Sequence, residues 1–176
     1  MRIAVDLDGT LAQTHEVFLE ELEKREGISH SLEDITSWYF ENVDFSLDTF
    51  HEIARENWKK KDIPLTDDSI PEHLNELKKR HRVDVVTARD DIPGKELKNW
   101  LERKKVPFDS FKVDKEKTHL DYDFLIDDSP TYIGNGMKIL LYHRPYNSRT
   151  ELGEKDRRVR NFSEVRKHVE KIASEE

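Results

Sequence analysis

Five short apolar runs limit what this chain can fold into. They are IAVDL (3–7), VDVVT (83–87), FKV (111–113), DFLI (123–126) and KILLY (138–142), each rich in Val, Ile, Leu or Phe and bounded by polar residues. Such runs read as strands, and their near-continuous apolar character predicts burial on both faces. Helical patterns lie between most of them. PEHLNELKKRH (71–81) leads into the second run, and GKELKNWLERKK (94–105) follows it with Leu97, Trp100 and Leu101 on one helical face. SPTYIGNG (129–136) is a short link between the fourth and fifth runs. Alternating strands and helices predict an α/β fold with a five-stranded parallel sheet and helices on both faces. The last stretch, RRVRNFSEVRKHVEKIASEE, predicts a surface helix that starts near Ser163 and frays at its end.

Residues 14–63 break the alternation. They hold three helical patterns and no strand: HEVFLEELEKREG, SLEDITSWYFENV and SLDTFHEIARENWKKK. Ser31 with Asp34, and Ser46 with Thr49, sit near the expected helix starts, and the first pair resembles a capping box. The block is too long for an ordinary loop. It predicts a small all-helical insert, 14–63, set into a core made of residues 1–13 and 64–176, with DIPLTDDSIP (62–71) as the return linker.

Composition narrows the partners. The chain has 176 residues and a net charge of -8, from 38 acidic and 30 basic side chains. That balance offers no general attraction for nucleic acid or an anionic membrane. The absence of cysteine excludes disulfides, thiolate metal sites and a cysteine nucleophile. No apolar run approaches the ~20 residues of a membrane helix. The first strand begins at Arg2, which leaves no room for a signal peptide, so a cytoplasmic location is expected. Monomer and homodimer both remain open.

Ligands of open parallel sheets bind at the carboxyl ends of the strands. There the first run ends in Asp6-Leu-Asp8-Gly9-Thr10, the second in Thr87-Ala88-Arg89 and the fourth in Asp127-Asp128-Ser129. Strand alternation puts Asp6 and Asp8 on the same side if the strand persists that far. Four carboxylates gathered near one point repel one another, and a divalent cation resolves that repulsion. Oxygen-only ligands favour magnesium, which also recruits phosphate. Thr87 offers a hydroxyl, with backbone amides beside it at Ala88. The helix that starts near Pro93 presents its amino end to an anion. Lys117, just before the fourth strand, supplies the missing positive side chain, with Lys115 as its competitor.

DLDGT, then VVTAR, then a lysine ten residues before LIDD, resembles the haloacid dehalogenase superfamily of phosphohydrolases. Within it the chain is most similar to the cytosolic-type 5'(3')-deoxyribonucleotidases and their prokaryotic relatives. EKTHLDYDFLIDDSP (116–130), YHRPYN (142–147) and the helical insert right after DLDGT carry that finer likeness. The TAR of the second motif departs from the Thr-Ser of the characterised nucleotidases. The resemblance implies a Rossmann-like core and a magnesium-dependent phosphomonoesterase. Asp6 would attack phosphorus to form an aspartyl-phosphate, and Asp8 would act as acid and then base. Asp6, the Asp8 backbone carbonyl and Asp127 would hold magnesium, with Asp128 as a further ligand or as a group that orients the others. Thr87, Ala88 and Lys117 would bind the phosphate. The implied substrate is a small phosphorylated molecule, foremost a nucleoside or deoxynucleoside monophosphate, with sugar phosphates and other small phosphomonoesters as the alternative. The insert would serve as a lid.

Plainer readings stand beside these. Asp6 and Asp8 could be turn residues, Thr87 could simply close a strand, and Asp127-Asp128-Ser129-Pro130 could cap the next segment. Arg89 could reach substrate or pair with Asp90 or Asp91. Trp38, Tyr39 and Phe40 could stack on a base or build the core of the insert. His143 and Arg144, after the fifth strand, could touch substrate or sit in a surface loop. Two other classes use similar parts. A receiver-type phospho-acceptor domain carries its acidic pair after the first strand and its lysine after the fifth, which is not the order here. A non-catalytic binding domain is the remaining alternative.

Overall fold

The computed structural model describes residues 1–175. Its sheet is parallel throughout and has six strands, not five, in the order β3-β2-β1-β4-β5-β6. The strands are β1 (Arg2–Val5), β2 (Arg82–Thr87), β3 (Ser110–Val113), β4 (Phe124–Asp127), β5 (Lys138–Tyr142) and β6 (Arg157–Val159). The five apolar runs account for the first five. β6 lay within the segment assigned to the tail, because two of its three residues are arginines. An edge strand pairs on one side only, so it needs backbone partners more than apolar side chains. Here those partners are Leu140 to Tyr142 of β5.

The helices are α1 (Thr14–Glu26), α2 (Leu47–Lys60), α3 (Ile70–Lys78), α4 (Gly94–Arg103) and α5 (Phe162–Glu175). The expectation of helices on both faces needs correcting. Ile70 and Leu74 of α3, Leu97 and Trp100 of α4, and Phe162 and Val165 of α5 all share one core with Ile3, Val5, Val83 and Val85. The opposite face, with Ala4, Val86, Leu125 and Ile139, is covered by Leu120, Tyr122, Tyr132, Ile133 and Met137. Those residues belong to the connections after β3 and β4, which carry only 3₁₀ turns, at Lys117–His119 and Pro130–Tyr132. Each connection is too short to complete a crossover helix.

Residues 14–63 hold two α-helices, not three. The middle pattern forms a single 3₁₀ turn at Leu32–Asp34. The Asp34 carboxylate accepts from the Ser31 N–H (2.7 Å) and hydroxyl (2.9 Å), and the Asn42 carboxamide donates to the Asp34 carbonyl. Local side-chain bonds of this kind compete with a helix ladder. Phe40 then takes a left-handed backbone, φ 58, which ends any helix there. α1 and α2 close a second core around Phe18, Leu22, Ile35, Phe45, Phe50 and Ile53. Ser46 caps α2 by accepting from the Thr49 N–H at 3.1 Å. Among the described residues, no helix is long and apolar enough to cross a membrane.

Candidate active site

β1 stops at Val5, but the Asp6 N–H still donates to the Ile126 carbonyl at 2.9 Å, so Asp6 continues the line of the sheet. The chain turns at Gly9, φ 77. A side chain there would be strained and would displace its neighbours: a Cβ would lie 2.2 Å from Asp128 Oδ2 and 2.7 Å from the Tyr146 hydroxyl. The carboxylates that converge are Asp6, Asp127 and Asp128, whose oxygens lie within 4.8 Å of one another. The Asp8 carboxylate is not in that group: it faces the same cavity but is held by Thr14, Trp58 and Arg89.

Lys117 lies in the middle of this group with a side chain only 2 % exposed. Its ammonium donates to Asp6 Oδ1 and, at 2.7 Å, to Asp127 Oδ2. Burial works against its charge, but Asp127 and Asp6 outweigh it and hold the ammonium protonated far above the usual lysine range. Lys115 is exposed and pairs with Asp90 at 2.6 Å. Asp127 Oδ1 accepts from the Ser129 N–H at 2.8 Å. Asp128 Oδ2 accepts from the Tyr146 hydroxyl at 2.5 Å, and its backbone carbonyl accepts from the Asn147 carboxamide at 2.8 Å. Burial, opposed by Lys117, raises the Asp6 carboxyl, with Asp127 and Asp128 adding to the rise. Burial and Asp127 push Asp128 up to about 7.

With all three carboxylates ionised, one ammonium leaves two net negative charges in a buried space. The donor set is all oxygen. Both facts fit a divalent magnesium-type cation. Adding magnesium at ~100 times its dissociation constant should stabilise the fold by ~2.7 kcal/mol, read as a rise of roughly 5–10 °C in melting temperature for a chain of this size. The sign of the pH dependence follows from Asp128. Its folded pKa is raised, so its contribution favours the folded state at low pH and is lost as pH climbs towards about 7. Magnesium has to displace those protons. Its stabilising effect should be larger at pH 8 than at pH 5, and equal shifts would count against the carboxylates as ligands.

Asp8 has partners of its own. Its Oδ1 accepts from the Thr14 hydroxyl (2.7 Å) and the Trp58 indole N–H (2.8 Å), and its Oδ2 accepts from Arg89 Nε–H at 2.7 Å. Burial raises the Asp8 carboxyl, but Arg89, Thr14 and Trp58 reverse that and hold it below the usual carboxylate range. Arg89 also pairs with Asp91 at 2.9 Å. Thr87 ends β2 fully buried, and its hydroxyl oxygen accepts from the Arg89 N–H at 3.1 Å. Its own O–H stays available to donate.

A cavity of about 590 Å³ opens over these groups. Asp6, Asp8, Thr87, Ala88, Arg89, Lys117, Asp127 and Asp128 all line it. So do Trp38, Tyr39, Phe40, Leu47 and Phe50 from residues 14–63. Phe40 and Phe50 also belong to the core of that segment, so for them core and lining coincide. Tyr39 is 62 % exposed and packs in no core. His143 and Arg144 stand outside the lining. Arg144 is buried and turns to Glu16 on α1, and the His143 ring faces Arg158. Tyr146 and Asn147 of this segment also stand outside the lining, but they hydrogen-bond to Asp128. Their signal was the YHRPYN string itself, read for its first basic residues instead of its last two. The Trp58 contact had no sequence signal, since 50 residues separate it from Asp8.

Sheet order and site order together define the class. The DLDGT turn follows a central strand, β1, and the acidic pair follows its neighbour, β4, an order that separates this chain from a receiver domain and matches phosphohydrolases of the haloacid dehalogenase superfamily. Solved structures share the fold. A "HAD-superfamily hydrolase, subfamily IA, variant 1" from Geobacter sulfurreducens aligns at TM-score 0.54 and 15% identity, covering 96% of this chain and 95% of that one. A predicted phosphoglycolate phosphatase from Haemophilus somnus aligns at TM-score 0.59 and 16% identity, over 96% and 97%. CbbY from Rhodobacter sphaeroides, in complex with xylulose-(1,5)bisphosphate, aligns at TM-score 0.55 and 18% identity, over 93% and 95%. No curated protein matches the sequence. The chain belongs to the family described as 5' nucleotidase, deoxy (pyrimidine), cytosolic type C, whose model matches residues 1–174. It is a hydrolase of phosphoric monoesters.

Proposed function

We propose that the chain is a magnesium-dependent phosphomonoesterase that forms a phosphoenzyme on Asp6 and acts on nucleoside or deoxynucleoside monophosphates. The observation that carries this reading is one cavity lined by both chemistries. Carboxylates, Lys117 and Thr87 stand at the strand ends, and Trp38, Tyr39, Phe40 and Phe50 stand on residues 14–63. Its volume lies within the ~300–1,000 Å³ usual for small-molecule sites. Aromatic walls suit a planar base, and the acidic group with its lysine suits a magnesium-bound phosphate. The family description names a deoxynucleotide-type 5' nucleotidase and a cytosolic type, and we extend both to this chain. Residues 14–63 act as a cap over a catalytic core of 1–13 and 64–176.

Asp6 attacks phosphorus through a carboxylate oxygen. The P–O bond to the leaving group breaks as Asp8 gives that oxygen a proton. Asp8 then takes a proton from water, the water oxygen bonds to phosphorus, and the Asp6–phosphorus bond breaks to release inorganic phosphate. Asp6, Asp127, Asp128 and the Asp8 carbonyl would hold magnesium, which would supply charge neutralisation for the phosphate. Lys117, the Thr87 hydroxyl and the Ala88 N–H bind phosphate oxygens. The incoming dianion competes with Asp8 for Arg89, which frees Asp8 Oδ2 to carry the proton. Exclusion of water by the cap strengthens each of these contacts.

The test is phosphate release from 5'- and 3'-nucleotides, their deoxy forms, sugar phosphates and an aryl phosphate, with and without magnesium. Magnesium-dependent turnover that favours nucleotides is expected. Turnover of sugar phosphates alone would overturn the substrate class and keep the chemistry. Equal turnover without metal would overturn the magnesium requirement.

A further inference from the structure

We infer that Trp58 is a positioning residue for Asp8, its indole N–H holding Oδ1 so that the transferred proton resides on Oδ2. The inference rests on the reading of Asp8 as the acid and base.

An indole N–H only donates. Trp58 directs it to Asp8 Oδ1 at 2.8 Å, and the Thr14 hydroxyl donates to the same oxygen at 2.7 Å. Two donors occupy both lone pairs of Oδ1, so that oxygen stays an acceptor and the acid form carries its proton on Oδ2. Oδ2 is the oxygen that Arg89 contacts. A buried indole N–H needs some acceptor, but a backbone carbonyl suffices. Trp100, edge to face with Trp58 at 5.3 Å, gives its N–H to the Ile63 carbonyl at 2.9 Å. Trp58 instead meets the reacting carboxylate.

Its place in the fold makes that contact rigid. Phe50, Ile53 and Ala54 of α2 pack within residues 14–63, whereas among the described residues Trp58 alone of the buried apolar side chains on α2 packs in the core against the sheet. It stands behind Asp8, outside the lining of the cavity. Trp58 therefore ties the last turn of α2 to the group that handles the proton. A change there alters how Asp8 is held and leaves the substrate's walls in place.

The experiment compares a nucleoside monophosphate, whose leaving alkoxide needs a proton, with a nitrophenyl phosphate, whose leaving group does not. A positioned general acid supplies ~100–10,000-fold. Trp58→Phe should lower turnover of the nucleotide about tenfold more than turnover of the aryl ester, a part of that range. Benzothienylalanine at position 58 keeps the ring size and replaces N–H by sulfur, so it answers the same question if Trp58→Phe does not fold. It should reproduce the tenfold change in ratio. A ratio equal to that of the parent chain with benzothienylalanine would overturn the inference. Asp8→Asn serves as the reference. If it too leaves the ratio unchanged, the acid–base role of Asp8 fails and the inference falls with it. If it shifts the ratio and the Trp58 variants do not, only the inference fails.

Discussion

Asp6→Asn should hydrolyse phosphomonoesters at least ~10⁴-fold more slowly than the parent chain, because an amide cannot replace a nucleophilic carboxylate. The fold should survive. Asp6 is buried beside Asp127 and Asp128, and burial with their repulsion already disfavours its charge. Removing that charge leaves Lys117 its 2.7 Å bond to Asp127. The melting temperature without metal should therefore stay within ~4 °C of the parent, about 1–2 kcal/mol for a chain of this size. The stabilisation by magnesium should shrink, since one of the three carboxylates proposed to hold it is gone. Phosphate release and thermal melts with and without magnesium check these outcomes together. Residual turnover within tenfold of the parent would remove Asp6 from the role of nucleophile.

Lys117→Met should cost ~3–5 kcal/mol, the typical penalty for breaking a buried ion pair on one side only. Both Asp6 and Asp127 lose their ammonium, and both are buried. The melting temperature should fall by about 10 °C or more. The pH dependence has a definite sign. The folded pKa of Lys117 is raised, so its contribution is fully present below the unfolded lysine value of ~10.4 and is lost only as pH rises through the folded value. Across pH 5 to 8 the lysine is charged throughout, and any change comes from the carboxylates it leaves behind. Those regain protons as pH falls. The deficit of Lys117→Met should be larger at pH 8 than at pH 5, and magnesium should recover part of it. Urea melts at the two pH values measure this. A deficit independent of pH would mean that Lys117 acts through packing and not through charge.

Much of the fold is legible in the amino-acid order, for a simple reason. Strands buried on both faces need apolar interiors, and β1, β4 and β5 carry polar residues only at their ends, while the buried Asp84 within β2 is met by Arg82 and Tyr122. β6 escapes that rule because an edge strand satisfies its backbone from one side, with two arginines and a single buried side chain, Val159. The 31–43 segment escapes a different rule. Its pattern is helical, but Asp34, Asn42 and the left-handed Phe40 spend the backbone's hydrogen bonds locally. That the second face of the sheet is covered by connections and not by α-helices was not legible, since it depends on how much chain remains for each crossover.

At the site, chain order alone determined which polar residues stand at the ends of strands: Asp6, Thr87, Asp127 and Asp128, with Lys117 close before β4. A carboxylate is too costly to leave at a buried strand end without a charge partner, so its presence there is a signal in itself. Tertiary structure decided everything that depends on direction and distance. It gave the Asp8 carboxylate to Arg89, Thr14 and Trp58. It sent Arg144 to Glu16, outside the cavity, and brought Tyr146 to Asp128. Hydrogen bonds act over about 3 Å, and no spacing along a chain encodes which of two distant side chains will be that near.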